Sequence, residues 1–194
     1  LTGIRKGWLL AERGELQEGI GTIRNGIAGL LAAGCKYHDS FHRALLALAY
    51  VRANQVDNAF GSLDDALRFV EQSGERYYEA ELHRLRGELL LACGRASDEE
   101  EIDGCFRKAI EVARKQDAKS WELRATTSLA RLLAKQGKRD EARAMLAEIY
   151  GWFTEGFDTR DLKDAKALLD ELNVDGGECW TTMWRLWPLF KRLW

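Results

Sequence analysis

The segment Gly87-Glu88-Leu89-Leu90-Leu91-Ala92-Cys93-Gly94 decides the fold, because the chain writes it four times. Its counterparts are Gly7-Trp8-Leu9-Leu10-Ala11-Glu12-Arg13-Gly14, Ala47-Leu48-Ala49-Tyr50-Val51-Arg52-Ala53-Asn54 and Ala130-Arg131-Leu132-Leu133-Ala134-Lys135-Gln136-Gly137. Each opens on a small residue, carries an apolar block, and closes seven positions later on Gly or Asn. Beyond each stop a second pattern follows in its own register. Gly19/Ile23/Gly26 matches Ala59/Leu63/Ala66, Ile102/Phe106/Ala109 and Ala142/Leu146/Ile149, at steps of 40, 43 and 40 residues. The three extra residues fall at 95–97. A fixed period of this length is the mark of stacked structural repeats.

The physics of the pattern is helical. Two antiparallel helices approach closely only where side chains are small, which places Gly or Ala at each crossing. A Gly or Asn ends the first helix because it tolerates the left-handed conformation of a C-terminus. Asp39-Ser40 ahead of Phe41, the S-x-x-E box Ser97-Asp98-Glu99-Glu100, and Ser120 ahead of Trp121 read as helix starts. Gly34 and Gly74 read as stops of second helices. One proline in 194 residues suits a mostly helical chain. No alternating β-branched run competes. Helices are expected near 1–13, 15–33, 40–53, 56–73, 75–93, 98–116, 120–136, 138–154 and 159–172. The small and aromatic positions resemble the tetratricopeptide repeat, with longer helices accounting for a period above the usual ~34 residues. The expected fold is an all-α, right-handed solenoid of about four such hairpins, at 1–34, 35–74, 75–117 and 118–156. A capping helix at 159–172 completes the repeat domain, 1–172, and residues 173–194 read as a linker and Trp-rich tail.

Composition narrows the function classes. A net charge of -2 lacks the broad basic excess of a phosphate-binding surface, so no nucleic-acid partner is expected. Cys35, Cys93, Cys105 and Cys179 are dispersed, without a CxxC pair, and read as reduced thiols of a cytoplasmic protein. No apolar run approaches the ~20 residues of a membrane span. A start at Leu1 already in helical rhythm suggests a piece of a longer polypeptide.

Two stretches resemble the C-terminal repeat region of large bacterial signalling proteins. They are Glu81-Leu82-His83-Arg84-Leu85-Arg86-Gly87-Glu88-Leu89-Leu90, and Tyr150-Gly151-Trp152-Phe153-Thr154-Glu155-Gly156-Phe157-Asp158-Thr159 running into Asp161-Leu162. Those proteins carry an adenylate/guanylate cyclase or transcription-regulator domain, then a STAND-type ATPase, then repeats. The resemblance implies a module that senses or recruits something for a neighbouring catalytic or DNA-binding domain. Cyclase and ATPase motifs would lie outside this segment.

Chemistry-bearing residues yield no catalytic set. Gly19-Ile20-Gly21 and Gly26 fall inside a helix rather than between a strand and a helix, so they read as packing positions and not as a phosphate loop. His38 and His42 have metal-ligand spacing on a helix but lack further ligands. The acidic run at 98–101 is explained by a helix N-terminus. Neither an enzyme nor a cofactor is therefore expected. The wall formed by the first helices is the candidate recognition surface for a protein, a peptide or another domain of the parent chain. It should present Trp8, His42, Arg43, Glu81, Arg84, Glu88, Arg124 and Arg131. Rigidly held arginines suit carboxylates or phosphorylated peptides. The plainer reading makes Glu81–Arg84–Glu88 a run of ion pairs along one helix. A ligand-sensing role for an attached cyclase or ATPase is the alternative. In the tail, Trp180, Trp184, Trp187 and Trp194 admit four readings: covering the last repeat, self-association, attachment to a membrane surface, or sequence foreign to the domain.

Overall fold

A computed structural model describes residues 2–94 and 99–173. They form α1 (Thr2–Glu12), α2 (Leu16–Ala32), α3 (Asp39–Arg52), α4 (Val56–Ser73), α5 (Glu79–Ala92), α6 (Glu99–Lys115), α7 (Lys119–Lys135), α8 (Arg139–Tyr150) and α9 (Arg160–Asn173). No strand occurs among the described residues. The chain divides into two compact units, Leu1–Leu89 and Leu90–Trp194. In the first, α2 packs on α1 and α3, α3 packs on α4, and α1 reaches α3. In the second, α7 packs on α6 and α8, and α9 lies against both α7 and α8.

The quoted segments do what their pattern requires. Gly14, Asn54 and Gly137 stand at φ 92°, 56° and 80°. The next residue's N–H (Glu15, Gln55, Lys138) donates back to the carbonyl of Leu10, Tyr50 or Leu133, at 3.0, 2.8 and 2.9 Å. This Schellman closure satisfies helix-end carbonyls and leaves a three-residue turn before the second helix. Asp117, at φ 51°, closes α6 likewise, with Ala118 N–H donating to Ala113 O at 2.9 Å. The sequence held no glycine there to announce it.

The crossing of α1 and α2 is a backbone contact. A Cβ placed on Gly7 would lie 2.7 Å from Gly19 O and 2.8 Å from Ile23 N, and one on Gly19 would lie 2.7 Å from Gly7 O. One on Gly26 would meet Ile4 Cγ1 at 2.5 Å. Later repeats use alanine at many of the corresponding positions, and Ala47, Ala59, Ala66, Ala109, Ala130 and Ala142 are all buried.

Four boundaries differ from expectation. α5 starts at Glu79, not at 75, because the left-handed Gly74 (φ 73°) ends α4 and residues 75–78 make the turn. The Glu75 carboxylate accepts from His38 N–H (3.0 Å) and Ser40 Oγ–H (2.8 Å), holding the start of α3. α3 accordingly begins at Asp39, following a left-handed His38, and Ser40 lies inside it. α7 follows Ala118 rather than Ser120, since the Asp117 closure already sets its direction. α8 ends at Tyr150, and residues 151–159 turn back to α9, with Thr159 N–H and Oγ–H both donating to Gly156 O (2.9 and 2.7 Å). The capping box at Ser97, the insertion at 95–97 and residues 174–194 lie outside the described residues.

A further repeat element went unread in the sequence. Asp39, Glu79 and Glu122, at steps of 40 and 43, each occupy the first turn of a first helix and are buried. Negative charge is favoured there by the helix dipole, and burial demands a cation. Asp39 takes Arg43 Nε at 2.6 Å, Glu79 takes Arg76 Nη1 at 2.9 Å, and Glu122 takes Arg114 Nε at 2.6 Å and Lys119 Nζ at 3.0 Å.

Two predictions follow from this packing. Gly7→Ala and Gly19→Ala should each cost about 1–3 kcal/mol, because the added methyl meets backbone that cannot yield. Gly21→Ala and Gly104→Ala, where a Cβ meets nothing within 4 Å, should instead gain about 0.5–1 kcal/mol of helix stability. Urea unfolding midpoints separate the pairs. At Glu122 burial pushes the carboxyl pKa up, but hydrogen bonds from Arg114 and Lys119 outweigh it and hold the group below its usual 4.5. A depressed pKa means this stabilisation is complete above the unfolded value and fades as pH falls through the folded one. Glu122→Gln should therefore be less stable than wild type near neutrality, with the gap closing in acid unfolding curves below about pH 4.

Candidate functional site

The first helices α3, α5 and α7 are buried on most of their circumference, whereas the second helices α2, α4, α6 and α8 bury one face. A helix enclosed this way keeps only a narrow open stripe, so few side chains can meet a partner. The residues expected on that wall divide accordingly.

In the first unit, Trp8 is half-buried beneath Arg52, whose guanidinium lies 5.6 Å from the ring centroid while pairing with Glu12 at 2.6 Å. Arg43 is partly buried. Its guanidinium turns toward α4, where Nη1 pairs with Asp65 at 3.1 Å while Nε holds Asp39, and both Arg43 and Asp65 line a cleft between α2, α3 and α4. A repeat pattern fixes which positions are small, but not which side a long side chain takes.

Glu81 and Arg84 are 2% and 5% exposed, so they too are withdrawn from a docking surface. Arg84 donates through Nε and Nη2 to the two Glu81 oxygens at 2.8 and 2.7 Å, and through Nη1 to Glu88 at 3.2 Å. Burial alone would lower the Arg84 pKa, but the charges of Glu81 and Glu88 and the hydrogen bonds to Glu81 raise it, so the cation persists. Both members need each other for solvation. Arg84→Ala should cost about 3–5 kcal/mol by stranding the Glu81 carboxylate. Adding Glu81→Gln should return a large part of that loss in chemical denaturation, which a simple packing defect at Arg84 would not permit.

His42 is buried at 4% exposure, and burial, followed by the field of His38, lowers its pKa despite Asp39 and Glu75. The His38 ring sits 3.7 Å from Tyr37 and 4.8 Å from Tyr77, in an aromatic group whose outer members Tyr37 and Tyr77 are exposed. Among the described residues no cluster of three His, Cys, Asp or Glu is placed to hold a metal ion, and no helix is long and apolar enough to cross a membrane. Cys35, Cys93 and Cys105 carry free thiols.

In the second unit the open stripe of α7 holds Trp121, Arg124 and Arg131, each partly exposed, with the buried Ser128 between the two arginines. Arg124 lies over the Trp121 ring at 5.1 Å, with its Nε 3.8 Å from Asp161 on α9. The stack is worth about 0.5–1 kcal/mol. Beside it, the α8–α9 turn exposes Trp152 (57%) and Phe157 (47%), with Lys119 Nζ 5.9 Å over the Trp152 ring. Trp121 and Trp152 were not expected as contact residues; for Trp121 a tryptophan among polar helix positions was the available sign, whereas Trp152 lies in the α8–α9 turn. Trp180, Trp184, Trp187 and Trp194 lie outside the described residues.

No protein-family model matches the chain. An uncharacterized protein of Rhizobium meliloti (strain 1021) is 29% identical over 126 residues, which is 65% of this chain and 12% of that protein. The chain thus spans a small part of its relative's length. Among solved structures, a Podosopora anserina kinesin light chain with nearly identical tetratricopeptide-like repeats superposes with a TM-score of 0.65 at 16% identity. A variant of the same protein gives 0.67, covering 88% of this chain and 83% of that one. At such identity the likeness is one of fold. The chain has the all-α fold of tetratricopeptide-like helical repeats.

Proposed function

We propose that the chain is a non-catalytic interaction module of a larger bacterial signalling protein, recognising a peptide segment or a neighbouring domain along its first-helix face. The observation that carries this reading is the stripe Trp121–Arg124–Arg131. It places Arg124, stacked on Trp121, and the partly exposed Arg131 on a helix most of whose other residues are buried. Aromatic and arginine side chains on rigid elements are the residues that dominate protein interfaces. Exposed Trp152 and Phe157 continue the aromatic character next to it. Tetratricopeptide-like folds serve generally as scaffolds, because stacked hairpins offer extended surface without moving parts. The 12% share of the Rhizobium meliloti relative supports a module inside a much longer chain. The cyclase and STAND-ATPase resemblance of residues 81–90 and 150–162 supports a signalling parent, with free thiols in keeping with the cytoplasm.

The test is selection of peptides from a random display library on the chain, followed by affinity measurement on variants. Arg124→Ala and Arg131→Ala should each weaken selected peptides about tenfold, near the 1.4 kcal/mol expected of a charge-assisted contact. Full affinity in the double variant removes this stripe from the reading. The parent class is tested by the surrounding reading frame, which should encode an ATP-binding or cyclase segment.

A further inference from the structure

The first unit carries a cleft of about 560 Å³ between α2, α3 and α4, a size that suits a small organic ligand. Its floor is apolar: Ile20, Leu46 and Tyr50 line it while being 5%, 8% and 9% exposed. Its rim carries Arg24, Arg43 and Arg68, one from each helix.

The charges of this rim are arranged unequally. Asp65 is shared, with Oδ2 holding Arg43 at 3.1 Å and Oδ1 holding Arg68 at 2.9 Å. Asp64 is drawn away to Arg86. Asp57 lies in the first turn of α4, where the helix dipole favours its charge. Arg43 is fixed by two carboxylates, through Nε on Asp39 and Nη1 on Asp65, while its Nη2 has no partner among the described residues. Arg24 has none there either. The cleft therefore retains unspent guanidinium donors, of which those of Arg43 are held in place by two carboxylates.

The second observation is Tyr50. Its ring is nine-tenths buried in the floor, yet its hydroxyl makes no hydrogen bond among the described residues and is not sealed from solvent. A hydroxyl open to solvent is hydrated rather than bare, and because Tyr50 lines the cleft a bound polar atom can take the place of that water.

We propose that this cleft binds a carboxylate attached to an apolar group. The carboxylate takes Arg43 Nη2 and Arg24, the apolar group lies on Ile20 and Leu46, and a polar atom meets the Tyr50 hydroxyl. The same chemistry is offered by a free organic acid or by the C-terminus of a peptide ending in an apolar residue. Preorganised donors favour such binding because little side-chain entropy remains to be lost. The site is separate from the α7 stripe, and binding here stands or falls without it.

The test uses the full 194-residue chain, labelled with nitrogen-15. Four probes are titrated: 3-phenylpropionate, its amide, acetyl-Ala-Ala-Phe as the free acid, and the same peptide amidated. The acids should shift the amide signals of Gly61 and Ser62, which line the cleft, in a saturable way, and the amides should not. Arg24→Gln should weaken binding about tenfold and Tyr50→Phe about threefold, as expected for loss of a charged and a neutral hydrogen bond. Arg5→Gln on α1 should leave it unchanged. Tighter binding of the peptide acid assigns the natural source to a chain terminus, and tighter binding of 3-phenylpropionate assigns it to a free acid. The proposal is overturned by absence of saturable shifts up to about 10 mM, a range covering even weak millimolar binding. It is equally overturned by amides binding as well as acids, or by Arg24→Gln and Tyr50→Phe variants, shown folded by their spectra, that bind like wild type.

Discussion

The closeness of paired helices governs this molecule. At the α1–α2 crossing the carbonyl of Gly7 and the backbone of Gly19 occupy space that any side chain would fill. Because the pair meets at backbone distance, the large residues on either side, Ile4 and Ile23, are forced into the remaining gaps and become fully buried. Dispersion and apolar burial both gain from that interdigitation, which an intervening methyl would undo. Later repeats carry alanine at many of these positions, and Leu63, Phe106 and Leu146 are buried where Ile23 stands in the first. Period and core composition are two expressions of the same constraint.

Enclosing a helix on nearly every side has an electrostatic cost. The first helices carry acids and arginines into surroundings where bare charge is unstable. The molecule meets this locally. Asp39, Glu79 and Glu122 combine a helix N-terminus with a cation, and Arg84 spans Glu81 and Glu88. Each network removes charged side chains from the set a partner could reach. Among the described residues, a stripe on α7 and the rim of the α2–α3–α4 cleft are left open.

The repeat, its crossings and its helix stops were legible in the sequence because each depends on one residue's size or backbone freedom. The left-handed Gly14, Asn54 and Gly137 stand where their spacing placed them. The ion pairs within Glu81–Arg84–Glu88 were legible too, since helix geometry brings i, i+3 and i+4 together whatever lies around them. Their burial was not, because it depends on neighbours remote in sequence. The direction of Arg43 depends on Asp65, 22 residues away, and the start of α3 depends on Glu75, 35 residues beyond Ser40. Periodicity registers neither contact. Tyr50 looked like ordinary core, and only its unpaired hydroxyl over a cleft distinguishes it.

The Glu75 tie bears on how such arrays can lengthen. His38 and Ser40 need an acid in the following inter-hairpin turn, so the unit that copies faithfully is one that brings its own. A tandem copy of residues 36–75 supplies glutamate to both daughters. Copying 35–74 instead sets Cys35 in that place and leaves one daughter's helix start unfastened. The frame in which the repeat is drawn on paper is arbitrary, but the frame in which it can multiply is not.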